Sequence, residues 1–180
     1  MPDLYAGLPA HLRRRLMWIA SGVSVLVLSV FNAIGAPLTT PAAPLGIISF
    51  QLARTPEQLQ AILASWDALT RQAAAFCLGL DYLFMPAYAL AIGLAARWVG
   101  VALIERGWPL AGSGLPLAWG VWLAALLDGI ENALQTAMLF GSSIEFLPGL
   151  TWFVALVKFG LVFAALIYVF YGLVVRLGIR

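Results

Sequence analysis

Two carboxylates and a carboxamide fall within one short run, Asp128-Gly-Ile-Glu131-Asn132, and Gln135 follows a helical turn later. On an α-helix, positions three and four apart share a face. Asp128, Glu131 and Asn132 therefore present their polar ends side by side, with Gln135 next to Glu131. The surrounding stretch, 115–140, is otherwise almost wholly apolar and long enough to cross a bilayer. A charge at the middle of such a helix raises its insertion cost by about 2.5–3.5 kcal/mol, so this face must turn toward protein or water. Side chains of these types can exchange protons, hold a cation or hydrogen-bond a polar ligand.

Two other apolar stretches carry an ionisable residue. Asp81 interrupts 73–98 and Lys158 interrupts 150–175. Counted from the ends of their spans at about 1.5 Å per residue, Asp81, Glu131 and Lys158 all lie ~13 Å below the same membrane surface. Asp128 is one turn deeper. The expected site is Asp81, Asp128, Glu131, Asn132 and Lys158, meeting inside the protein. Tyr88, two turns from Asp81, Gln135, and Asn32 in the first apolar stretch are candidates to line it. Pro86 cannot donate to the carbonyl of Tyr82, which frees a backbone acceptor close to Asp81. The structural alternative is that these residues only tie helices together, since interhelical hydrogen bonds are common in membranes. The charge count asks for more. Three carboxylates face one lysine, and an excess of that size is neutralised either by protons on the carboxylates or by a cationic ligand.

The composition fixes the environment. The 180 residues are 63% hydrophobic and 10% charged, with a mean hydropathy of +0.96. Globular domains usually hold about 25% charged residues, so the chain is an integral membrane protein. A formal charge of +2, carried by scattered basic residues, gives no footprint for nucleic acid. The lone cysteine, Cys77, and the lone histidine, His11, exclude an internal disulfide, a Cys-rich metal motif, bis-histidine haem and a His-based triad within one chain. Gly112-Ser113-Gly114 lacks a phosphate-loop pattern. No cofactor and no metal site is expected.

The elements that must position the polar residues read as an all-α bundle of four transmembrane helices forming a single domain. The spans fall at about 15–36, 73–98, 115–140 and 150–175, each near the ~20 residues needed to cross. Arg13-Arg14-Arg15 precede the first, which is longer than the 7–15 residues of a signal-peptide core and so reads as a permanent span. Between the first two spans, Pro37–Pro44 is a loop. Thr55-Pro56-Glu57-Gln58 is a helix start, with Thr55 as cap, Pro56 at the first position and Gln58 completing a capping box. Leu59, Ile62, Leu63, Trp66 and Leu69 then recur at helical spacing, and Glu57, Gln58, Gln60, Asp67 and Arg71 fall elsewhere on the wheel. The expectation is an amphipathic surface helix over 56–71, in the first outer loop.

The function classes that remain are three. The leading one is a small-molecule, lipid or cation binding protein of a bacterial-type cytoplasmic membrane, including a proton-linked transporter. The second is a membrane-embedded acid–base enzyme acting on a lipid-like substrate, which needs paired carboxylates but lacks an evident nucleophile. The third is a structural or assembly subunit, in a homo- or hetero-oligomer. Membrane lipids are the expected neighbours in all three. Orientation follows from the basic residues. With the N-terminus inside, Arg13, Arg14, Arg15, Arg97, Arg106, Arg176 and Arg180 lie on the cytoplasmic side, against Arg54 and Arg71 outside. Both termini are therefore expected in the cytoplasm. Single cysteines placed in 56–71 of a Cys77→Ser background should react with an impermeant reagent from outside intact cells. Labelling of that segment only from the cytoplasmic side would reverse the orientation.

Overall fold

The computed structural model describes residues 1–178; Arg180 and the side chain of Arg176, both counted above for orientation, lie outside the described residues. Among the described residues the chain forms six α-helices and no strand. They are α1 (Ala10–Gly35), α2 (Ile47–Gln51), α3 (Pro56–Ser65), α4 (Ala68–Glu105), α5 (Gly114–Leu139) and α6 (Leu147–Gly178). Helices α1, α4, α5 and α6 are long and apolar enough to cross a membrane. The all-α, multi-pass fold is the one the composition requires.

Burial is inverted relative to a water-soluble protein. Asp128, Glu131, Asn132, Gln135, Thr151 and Lys158 are buried, while Trp18, Leu26, Leu83, Leu126, Phe153, Phe163, Ile167 and Phe170 are exposed. Hydrocarbon is the solvent that permits this arrangement, because it tolerates apolar side chains and offers nothing to polar ones. Of the most apolar part of α4, 56% is buried, against 11% for α1. Helix α4 is thus the most enclosed of the four spans and α1 the most open.

The residues fall into two compact units. One comprises Val25–Met85 and Leu126–Val157. Its apolar core joins Phe50 of α2, Leu59, Ile62 and Leu63 of α3, Trp66, Cys77 of α4, Met138 of α5 and Leu147 of α6. The expected capping box is present. Thr55 accepts from the Gln58 amide at 3.3 Å, and the Gln58 side chain accepts from the Arg54 amide at 2.8 Å, one residue before the usual partner. The amphipathic face is also as expected, with Glu57, Gln60 and Asp67 exposed. The helix itself ends earlier than the expected residue 71. Arg71 reaches back to the carbonyls of Leu63 and Trp66, and Asp67 accepts from the Thr70 amide at 2.7 Å. The first satisfies the last carbonyls of α3 and the second caps α4, so the chain breaks at 66–67 and α4 starts at Ala68 rather than 73. Leu69, on the far side of the break, is left exposed.

The other unit comprises Met1–Ser24, Pro86–Ala125 and the chain from Lys158 onward. Here α4 continues to Glu105, past the expected end at 98, and Pro86 does not interrupt it. Gly100 and Gly114 let α4 and α5 touch backbone to backbone. A Cβ at Gly114 would lie 2.6 Å from the Ala96 carbonyl oxygen. Val99, Leu103 and Tyr168 pack around this contact. The N-terminal segment is docked. Asp3 pairs with Arg97 at 2.8 Å, Trp119 donates to the Pro2 carbonyl at 3.0 Å, and Trp122 donates to the Tyr5 hydroxyl at 2.9 Å. Tyr5 is buried, and its hydroxyl takes the space that a side chain at Gly93 would need.

Burial acts to raise the Asp3 pKa, but the Tyr5 amide and the Arg97 guanidinium outweigh it and hold the carboxyl below its usual range. A folded pKa below the unfolded one contributes stability above the unfolded value and loses it as pH falls through the folded value. Docking of residues 1–8 is therefore expected to loosen below about pH 4. Amide exchange at Tyr5, followed by mass spectrometry, should rise across that range, and Asp3→Asn should show the faster exchange already at pH 7. Equal protection in both proteins at both pH values would remove the ion pair from the docking.

Candidate functional site

The polar residues of α5 occupy its buried face. Glu131, Asn132 and Gln135 are 0% exposed and Asp128 is 4% exposed. The spacing that places them together is the one visible in the sequence, and the exposed face of the same turns carries Leu126, Ile130, Ala133 and Ala137. All four polar side chains, together with Asp81, belong to the unit of Val25–Met85 and Leu126–Val157.

Asn132 is the junction between α5 and α4. Its amide nitrogen donates to Asp81 Oδ2 at 2.9 Å and to the Leu78 carbonyl at 3.2 Å. Two acceptors on one side fix the orientation of the carboxamide, with both N–H groups used and Oδ1 turned away. One turn along α5, the Gln135 amide nitrogen donates to Glu131 Oε1 at 2.9 Å. Asp81 is half-buried. Gly129 faces α4, where a Cβ would meet Met85 Sδ at an ordinary contact distance of 3.8 Å.

Thr151 of α6 was not singled out by the sequence, yet it is 0% exposed. It follows Leu147 by one turn, and Gln135 precedes Met138 by one turn. Leu147 and Met138 pack in the same apolar cluster, as does Cys77, one turn before Asp81. The polar layer thus lies directly beside that cluster on three helices. A threonine in an apolar helix reads as packing. The signal that was available is its place one turn from Leu147 on a face continued by Val154 and Ala155, which are buried.

Within this layer Asn132 Oδ1, Gln135 Oε1 and Thr151 Oγ1 are buried and have no hydrogen-bond partner. Native structures pair the large majority of such atoms. Three such atoms fall on the buried faces of α5 and α6.

The remaining expected residues are placed as follows. Lys158 is 4% exposed, with Nζ 4.7 Å from the ring centroid of Phe159, and it belongs to the second unit. Tyr88 is buried and belongs to that same second unit. Asn32 is exposed, and its side chain donates to the Leu28 carbonyl of its own helix at 3.0 Å. Ser29 does the same to Val25. Among the described residues, no group of three or more His, Cys, Asp or Glu side chains is placed to hold a metal ion.

Comparison with known protein families, with curated proteins and with solved structures finds no match to this chain.

The Asp81–Asn132 bond generates a quantitative expectation. Interhelical hydrogen bonds in membranes average about 0.6 kcal/mol, with a maximum of about 1.7 kcal/mol. A double-mutant cycle of Asp81→Leu and Asn132→Leu, measured by unfolding in detergent, should return a coupling in that range. Strict additivity would mean that the two side chains do not stabilise each other.

Proposed function

We propose that the polar layer of α5, with Asp81 and Thr151, is a membrane-embedded binding site for a small polar ligand or cation. In this reading the carboxylates exchange protons with the bound ligand, and the protein carries it across the membrane in a proton-linked cycle. The observation that carries the reading is the incomplete pairing of buried acceptors. Residues serving only to join helices would satisfy one another, because an unpaired acceptor in a low-dielectric interior lowers stability without return. Asn132 and Gln135 instead spend their N–H groups on the protein and leave an oxygen each for a partner.

Charge supports the same assignment. Asp81, Asp128 and Glu131 stand well inside α4 and α5, whose basic residues, Arg71 and Arg97, lie toward the ends of α4. Lys158 is proposed as the internal counter-charge, a role its burial supports. The proposed setting is a cytoplasmic membrane with both termini inside and lipid around the exposed apolar faces. That orientation rests on the arginine count.

Purified protein reconstituted in liposomes with an internal pH dye tests the proposal. A panel of small cations, amines and neutral polar solutes should include at least one that moves protons when added outside. Asp128→Asn combined with Glu131→Gln should reduce that flux at least tenfold while insertion is retained. Lys158→Met should alter the pH dependence of the flux. Ligand-driven flux unchanged by the carboxylate variants would place the route elsewhere, and no ligand-driven flux with any solute would remove the transport assignment.

A further inference from the structure

We propose that the first turns of α1 bind an anionic phospholipid, with its phosphate on Arg14 and Arg15 and an acyl chain along Trp18, Ile19 and Gly22. The site lies wholly within the unit that holds Met1–Ser24, and it does not depend on what the polar layer of α5 binds. Helical spacing puts these five residues on one side of α1. All five are exposed, Trp18 by 63% and Ile19 by 52%. The opposite side is the packed one. Leu16 and Met17 lie against the cluster of Tyr5, Leu94 and Ala118, and Ala20 is buried. A Cβ at Gly22 would meet nothing within 4 Å, so the exposed side stays open one turn beyond Trp18.

Depth follows from helix length. Residues 16–35 of α1 match the about 20 residues that cross hydrocarbon. Arg14 and Arg15 therefore stand at head-group level, with Trp18 and Ile19 one turn further in. A charged end followed by an apolar run is the order of groups in a phospholipid.

Charge decides which phospholipid. By sequence the unit carries eight basic residues against two acidic ones, Asp3 and Glu105. Asp3 is taken by Arg97 at 2.8 Å, and Glu105 closes α4. Among the described residues Arg14 and Arg15 form no ion pair. An arginine at a membrane surface favours anionic head groups by about fivefold in affinity, and its guanidinium can hold two phosphate oxygens at once. A zwitterionic lipid would cover Trp18 and Ile19 and leave the two charges uncompensated. A free phosphate would neutralise the arginines and leave the apolar residues bare. An acidic segment of another protein, lying at the surface, would leave them bare as well. An anionic lipid answers both needs.

Bromine on an acyl chain quenches a tryptophan that it touches. The full-length protein is reconstituted in phosphatidylcholine bilayers holding a fixed fraction of brominated phosphatidylglycerol, or of brominated phosphatidylcholine with the same chains. The difference between the protein and Trp18→Phe isolates Trp18 among the seven tryptophans. The relative affinity read at Trp18 should favour the anionic lipid. Arg14→Gln and Arg15→Gln should each lower that preference about fivefold, and the double variant should abolish it. Arg14→Lys with Arg15→Lys keeps both charges and should retain most of it. Arg106→Gln removes the same charge elsewhere in the unit and should leave it unchanged. If the double variant does not reconstitute, the single variants carry the test.

Equal quenching by the two lipids would overturn the inference. A preference untouched by Arg14→Gln and Arg15→Gln would put the anionic lipid elsewhere on the protein. An equal loss with Arg106→Gln would replace the site by a diffuse field. Relief of the quenching by inorganic phosphate, but not by chloride at the same ionic strength, would make free phosphate the occupant and reject the lipid.

Discussion

Hydrocarbon cannot hydrogen-bond, and every polar group of this chain inside the membrane has to find its partner within the protein. That constraint accounts for the inverted burial. Exposed phenylalanines and leucines cost nothing on a lipid-facing surface, whereas Glu131, Asn132 and Gln135 are driven to full burial. It also accounts for the short-range bonding of the lone polar residues of α1. Ser21, Ser24, Ser29 and Asn32 each return a hydrogen bond to the carbonyl four residues earlier. A single serine or asparagine on a lipid-facing helix can be satisfied in that way without any neighbour. Carboxylates on α5 cannot, since neighbouring helical carbonyls offer them no donor. The face of α5 that carries them must therefore turn away from lipid.

The polar layer and the apolar cluster beside it depend on each other. Phe50, Leu59, Ile62 and Trp66 share a buried cluster with Cys77, Met138 and Leu147, and Trp66 is itself tied to the Leu38 carbonyl at 2.9 Å. A connection of short helices that packs with α4, α5 and α6 in this way does more than link two spans. It gathers residues one turn from Asp81, Gln135 and Thr151 into one buried apolar cluster.

The sequence made the α5 face legible because intervals of three and four residues have one geometric meaning on a helix, whatever the tertiary contacts. The same rule recovered the buried face of α3 and its cap. It did not recover the break at 66–67. There the hydrophobic period runs on through Leu69, and the outcome was decided by Asp67 and Arg71, whose capping bonds satisfy two helix ends at once. The ends of α4 were misplaced for a related reason. The apolar stretch 73–98 ends at Trp98, but the helix continues past it to Glu105, and polar residues such as Arg71 and Glu105 are no bar to helix. Asn32 was read by depth alone, and depth does not report which way a helix faces. Thr151 was overlooked because a hydroxyl in an apolar helix has a bland explanation, and its lack of a partner is a property of packing that no spacing rule contains.

The docking of the first five residues has a consequence for biosynthesis. Asp3 is paired with a residue 94 positions later, and Pro2 and Tyr5 are bonded by tryptophans 117 positions later. At about 5–20 residues per second, the ribosome needs on the order of ten seconds to make those partners after the N-terminus has emerged. During that interval the segment has nothing to bind, and α1 is inserted with its leading end loose. Closure of the N-terminus is therefore a late event that requires α4 and α5 to be in place, a built-in report that assembly has passed its third span.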